Sequence, residues 1–262
     1  MNEEDKLVVE MPRFVMDYPS HANAYRLRAN TWKFDYDSMT PEEVIANITY
    51  DSRPRYCAET FPNFKNFSIV ELGPSDGYNT VGLEIAGASD IVSVEANVDG
   101  FLKACILKNA FNMKAQFLLG DFLKYLDTPG LKKDLVYASG VLYHLTNPVE
   151  FIQQCGKVAD NLFIWTFHYV HETISQHSYE KLCFVAPEER VIDGQTYTYH
   201  KRFYDPSIVA SGKYQGGVGN LAYWLTLSDI ERALTQAGYK IERTVDDSYN
   251  GIEAINILAS KH

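Results

Sequence analysis

This 262-residue sequence predicts an α/β fold built on a mostly parallel sheet, on three observations. Short apolar runs alternate with helix-like segments from residue 67 to residue 167. The first run ends in a carboxylate and a glycine turn, FSIVELGPSDGYNT at residues 67–80. The chain closes on two more strand-like runs joined by a turn. Alternating strands and helices imply right-handed crossovers between parallel strands. A strand that feeds a glycine turn and then a helix marks a ligand crevice in an open sheet.

The elements follow in order. Residues 1–37 are polar and aromatic by turns and hold Arg26, Arg28, Trp32, Phe34 and Tyr36. With the rest of residues 1–66 they form an N-terminal arm, packed on the main domain or serving as a substrate cap. Thr40-Pro41-Glu42-Glu43 is a helix start with Thr at the cap, Pro first and Glu third, and the helix runs to about Tyr50. Residues 51–66, with Pro54 and Pro62, read as a connection. The main domain is 67–262. Its first strand is Ser68–Leu72, followed by a helix over 79–86. Strand 2 is 91–95, with a helix over 99–110. Strand 3 is Gln116–Leu119, with a short helix at Phe122–Leu126. Strand 4 is 134–139. Asn147-Pro148-Val149-Glu150 starts the next helix, and strand 5 is 162–167.

Regularity stops at His168. The stretch 168–225 is too long for an ordinary connection and reads as a lid or small subdomain. It carries His168, His171, His177 and His200, six tyrosines between Tyr169 and Tyr214, and a glycine cluster at 216–219. Ser228-Asp229-Ile230-Glu231 is a capping box that reopens a helix, and Gly238 ends it. Strands at 240–245 and 254–259 are joined by a turn containing Asn250-Gly251.

Composition bounds the function. The net charge is −10, from 34 acidic and 24 basic side chains. That disfavours non-specific attraction to nucleic acid. No apolar run is long enough to span a membrane, and the start lacks the basic-then-apolar pattern of a secretory leader. Cys57, Cys105, Cys155 and Cys183 are widely spaced and read as reduced thiols of a cytoplasmic protein. No tight ligand spacing supports a metal site.

Three acids recur at strand ends: Glu71 in strand 1, Glu95 closing strand 2 and Asp121 just after strand 3. Carboxyl ends of parallel strands line the crevice. A carboxylate after strand 2 suits two ribose hydroxyls. Asp121 with Phe122 suits an adenine, the acid for its amino group and the ring for its face. Singly, Glu95 could be a solvated acid and Asp121 a helix cap; the recurrence in register favours a site.

Here the chain resembles the class I S-adenosylmethionine-dependent methyltransferases. The carrying residues are Glu71-Leu72-Gly73-Pro74-Ser75-Asp76-Gly77, Val94-Glu95-Ala96, Gly120-Asp121-Phe122 and Ser139-Gly140-Val141-Leu142-Tyr143-His144. Ser75 stands where that family's loop usually has its middle glycine. The resemblance implies a Rossmann-like, mostly parallel seven-stranded sheet with the terminal strand antiparallel, and S-adenosylmethionine as cofactor. It implies that Glu71, Gly73, Ser75, Asp76, Gly77, Glu95, Ala96, Asp121, Phe122, Ser139 and Gly140 bind that cofactor. The run Gly140 to His144 is similar to one in relatives of the tRNA wobble-uridine carboxymethyltransferases and in several small-molecule methyltransferases. Tyr143 and His144 would then face the transferred group, though His144 equally suits a structural role holding its loop. An aromatic face near a sulfonium helps; Tyr78 and Tyr143 are candidates. His144, His168 and His171 are candidate bases if the acceptor is a hydroxyl. The leading expectation is a transferase acting on a hydroxyl of a sugar or natural product. A tRNA-modifying transferase and a non-catalytic cofactor-binding partner protein are the alternatives. Strand 1 lacks the Gly-x-Gly-x-x-Gly of a nicotinamide-dependent dehydrogenase. The acceptor and the oligomeric state stay open.

Overall fold

The computed structural model describes residues 20–26, 51–205 and 219–261. In chain order the elements are α1 (His21–Arg26), α2 (Ser52–Thr60), β1 (Ser68–Leu72), α3 (Tyr78–Ile85), β2 (Asp90–Glu95), α4 (Val98–Phe111), β3 (Gln116–Leu119), α5 (Phe122–Leu126), β4 (Lys133–Ser139), α6 (Pro148–Val158) and β5 (Ala159–Phe167). Then come α7 (His171–Gln176), α8 (Glu180–Cys183), β6 (Glu188–Ile192), β7 (Gln195–Phe203), β8 (Leu221–Trp224), α9 (Leu227–Gln236), β9 (Lys240–Tyr249) and β10 (Ile252–Ser260).

The main sheet has the order β3-β2-β1-β4-β5-β10-β9. Neighbours from β3 to β5 pair in parallel, and β10 runs antiparallel between β5 and β9. The expected Rossmann-like sheet of seven strands with the last one antiparallel is therefore present. β1 is buried on both faces, as a central strand requires. Ile69 joins Tyr78, Leu83, Leu107, Tyr137 and Phe163 on one face. Val70 and Leu72 join Val136, Ile164, Phe151, Ile152 and Ile230 on the other. The order reverses between β1 and β4, and that switch point opens a crevice at the carboxyl edge.

Several boundaries differ from the sequence expectation. Residues 51–66 are not a bare connection: α2 occupies Ser52–Thr60, capped by the Asp51 carboxylate, which accepts from the Arg53 amide at 3.0 Å. Pro54 falls in the first turn, where its missing N–H would be unpaired anyway. The last helix starts two residues before the expected capping box, with Thr226 as the cap accepting from the Asp229 amide. Asp229 sits third and instead accepts from the Thr198 amide at 3.2 Å. Asn147 holds the cap position of α6, but its side chain accepts from Arg190 rather than capping. The final hairpin is longer than expected; Asn250 and Gly251 turn it, both at positive φ. The expected helix near residues 41–50 and most of the 216–219 glycine cluster lie outside the described residues.

The stretch after β5 has order of its own. β6, β7 and β8 form a three-stranded antiparallel sheet. Its Tyr197 and Tyr199 are fully buried and belong to the same core as α6 and α9. Tyr199 donates to Glu150 of α6 at 2.9 Å, and Tyr197 donates to Gln236 of α9 at 2.5 Å.

Candidate active site

At the end of β1 the backbone turns through the left-handed region three times, at Gly73 (φ 61°), Ser75 (φ 56°) and Gly77 (φ 85°). A Cβ on Gly73 would lie 2.8 Å from Val141 Cγ1, so only glycine fits there. Ser75 adopts the conformation that its missing glycine would adopt freely. The turn is pinned from β2: Glu95 accepts from the Ser75 amide through Oε2 and from the Asn97 amide through Oε1, both at 2.7 Å. Burial raises the pKa of Glu95, and the amides of Asn97, Ser75 and Ala96 and the charge of Lys103 oppose that rise. Gly100 lets α4 approach, since a Cβ there would meet the Ser75 carbonyl oxygen at 3.0 Å. Asp76 is buried within the turn, and Ala96 is exposed beside Glu95.

Glu71 is buried and accepts from Thr80 at 2.5 Å and Ser93 at 2.6 Å. It ties α3 and β2 to β1. Its pKa is pushed up to about 7, chiefly by burial. Asp121 caps α5 by accepting from the Leu123 amide at 2.9 Å through Oδ1. Phe122 meets Phe151 edge to face at 6.1 Å, so its ring is part of the wall under α5. Two apolar side chains unremarked in the sequence stand exposed nearby: Leu119, which pairs with Glu95, at 50% and Val98 at 57%.

Across the switch point, Ser139 ends β4 and Gly140 follows at φ 84°. Arg53 from α2 reaches this spot. Its Nη1 donates to Ser139 Oγ at 2.8 Å, and its guanidinium lies 5.3 Å from the centre of the Trp165 ring. Asp51 accepts from Nε at 2.8 Å and from Nη2. Trp165 in turn donates to Asp247 at 2.8 Å. Neither Asp51 nor Arg53 stood out in the sequence. The local signal was an Asp cap two residues before the Arg, obscured by Pro54.

Tyr143 and His144 close the same side. A Cβ on Gly140 would lie 3.6 Å from the Tyr143 hydroxyl. The Tyr143 ring packs on His144 at 4.2 Å and against Phe167 at 4.8 Å. His144 Nδ1 is 2.7 Å from the Tyr204 hydroxyl. Burial pulls the His144 pKa down to about 3, and the charge of Arg202 adds to the effect. The imidazole is therefore neutral across the working pH range.

His168 and His171 line a cleft that Tyr143 and His144 do not line. With His200 they line an open cleft of about 460 Å³ beyond β5, together with Glu172, Thr226 and Ser228. The His200 ring stacks on Tyr169 at 3.5 Å, and its pKa falls to about 4 through burial and then the charge of His171. Burial also lowers the pKa of His168, with Glu253 and Asp246 opposing it. Among the described residues no cluster of His, Cys, Asp or Glu could hold a metal ion. No described helix is long and apolar enough to cross a membrane.

The crevice suits an adenosyl ligand at each end: a buried carboxylate beside a glycine turn, exposed apolar faces at Leu119 and Val98, and a charged pair at Asp51 and Arg53. No protein-family profile matches the sequence, and no curated protein matches it. Solved structures do match. The N-terminal domain of EvdMO1, crystallised in the presence of SAH and D-fucose, aligns at 19% identity over 92% of this chain and 95% of that one, with a TM-score of 0.63. The present chain spans 46% of the chain in a second structure, of EvdMO1, at 16% identity and a TM-score of 0.58. Magnesium protoporphyrin IX methyltransferase (ChlM) from Synechocystis PCC 6803, with bound SAH, aligns at 16% identity over 92% and 94%, with a TM-score of 0.56. An S-adenosylmethionine-dependent methyltransferase from Mesorhizobium loti aligns at 14% over 81% and 100%, with a TM-score of 0.53. The fold is that of the class I methyltransferases.

Proposed function

We propose that the protein is an S-adenosylmethionine-dependent methyltransferase acting on a hydroxyl of a small molecule, of sugar or natural-product type. One observation carries this: Glu95 and the β1 turn are locked together at the switch point of a sheet in methyltransferase order. The names of two similar structures, which mention D-fucose and magnesium protoporphyrin IX, support a small acceptor. The likeness of residues 140–144 to the wobble-uridine enzymes motivates tRNA as a second reading, but a net charge of −10 opposes that partner. Four unpaired cysteines fit a cytoplasmic setting.

Bound, the cofactor supplies an electrophilic methyl group on a sulfonium. The chain's part is to bind, align and exclude water. Glu95 accepts from the ribose hydroxyls through lone pairs its amide contacts leave. Asp121 accepts from the adenine amino group, with Leu119 and Val98 against the ring. Tyr143 lays an aromatic face beside the transfer point, and its neighbours Phe167, Trp165 and Trp224 keep that region dry. His144 takes the hydroxyl proton. A base held neutral is available at every working pH, though its pull on the proton is weaker.

Calorimetry with S-adenosylmethionine tests the reading. Wild type is expected to bind it and not NAD. Glu95→Ala should weaken binding by about 1–3 kcal/mol, the scale of a lost charged hydrogen-bond partner. Binding of NAD alone would end the proposal.

A further inference from the structure

The guanidinium of Arg53 has five N–H donors, and the protein uses three of them. Asp51 takes Nε and one N–H of Nη2; Ser139 takes one N–H of Nη1. One N–H on each terminal nitrogen is left. Terminal guanidinium N–H groups are the donors with which an arginine holds a carboxylate. The group is also held still. Asp51 caps α2 and clasps the side chain at once, Trp165 lies under it, and its side chain is 17% exposed.

Its position matters as much. Ser139 and Trp165 pair in register at the carboxyl ends of β4 and β5, and Gly140 leaves the space beside them without a side chain. Burial alone would lower the Arg53 pKa, but the hydrogen bonds and charge of Asp51 more than offset this and hold the cation charged. A fixed cation with two donors to spare, backed by the cap carboxylate of Asp51, suits the carboxylate of an α-amino acid.

We infer that Arg53, set by Asp51, binds the carboxylate at the amino-acid end of the cofactor and so selects the intact cofactor over nucleosides that lack that end. This rests on the proposed methyltransferase reading. It assigns to α2, an element ahead of the first strand, half of the cofactor's recognition. It also gives the enzyme a means of rejecting the truncated thionucleoside, whose adenosyl part is the same.

The test compares two probes on one protein: S-adenosylhomocysteine, which has the amino-acid end, and 5′-methylthioadenosine, which does not. Wild type should bind the first more tightly. Arg53→Met should weaken S-adenosylhomocysteine by about 10- to 100-fold and leave methylthioadenosine unchanged, which also shows that the adenosyl site is folded. Arg53→Lys keeps the charge and loses the guanidinium donors, so it should fall between the two. It decides the matter if the Met variant does not fold. Equal losses for both probes, or none for either, overturn the inference; the second outcome would give Arg53 to the acceptor instead. If wild type binds neither probe, the methyltransferase reading itself falls, so the two failures are distinguishable.

Discussion

Two acids one strand apart show how residue-scale environment divides their work. Glu95 faces backbone amides at the mouth of the crevice; Glu71 lies deeper, with Oε1 buried and unpartnered. The consequence for Glu71 is a pH dependence with a definite sign. Its folded pKa stands near 7, against a usual 4.5. Between those values the native state binds the extra proton, so stability falls as pH rises through that window. Below about 4.5 the contribution is fully present. Above about 7 the buried carboxylate is charged and the contribution is gone. Glu71→Gln should remove this component. Melting temperatures of wild type and variant, measured from pH 4.5 to 8, should differ progressively in the variant's favour as pH rises. A constant difference would show that Glu71 ionises normally.

At the scale of elements, the proposed chemistry falls on β4 and the turn after it. The turn of Leu142–His144 sets Tyr143 toward Gly140 and His144 toward Tyr204. His144→Ala should lower turnover by roughly 100-fold or more, the usual worth of a positioned base, with cofactor affinity nearly intact. Because the imidazole titrates near 3, the wild-type rate should show no acid limb near pH 6.5 from this residue. A limb there that vanishes in His144→Gln would contradict the assignment. How legible these elements were depends on where their signal resides. β3 and α5 fall at the expected residues because apolar period and cap lie side by side in the sequence. β9 runs past the expected residue 245 because Asp246, Asp247 and Ser248 are polar residues of an edge strand, whose sequence carries no buried-face pattern. The loop after β1 was readable from its glycines and from Glu95. Arg53 was not, since its meaning comes from Ser139, 86 positions away. Nor was the placing of His168 and His171, but not His144, on one cleft, which the shared crevice side of β4 and β5 did not suggest.

Across the whole molecule, the insertion and the sheet are one cooperative body. Tyr197 and Tyr199 of β7 lie in the core that α6 and α9 share, and Phe167 of β5 stacks on Trp224 of β8 at 5.3 Å. The least redundant tie inside the insertion is ionic. Arg202 of β7 meets Glu180 of α8 through two bonds of 2.8 Å, and both side chains are under 10% exposed, at 8% and 7%. Arg202 also lies over the Tyr204 ring at 4.2 Å, and Tyr204 holds His144. Removing one partner of such a pair leaves a buried charge without compensation, which costs about 3–5 kcal/mol. Glu180→Ala should therefore lower the melting temperature by roughly 10 °C for a chain of this size. The loss should appear as a shift of a single transition, because the tyrosines of β7 do not let the insertion melt alone. Calorimetric scanning, with proteolysis between residues 168 and 205 followed in parallel, checks this. A second, earlier transition confined to the insertion would show that it is a separable cap. Affinity for S-adenosylhomocysteine should hold in the variant at low temperature, since Glu180 touches neither the β1 turn nor Glu95.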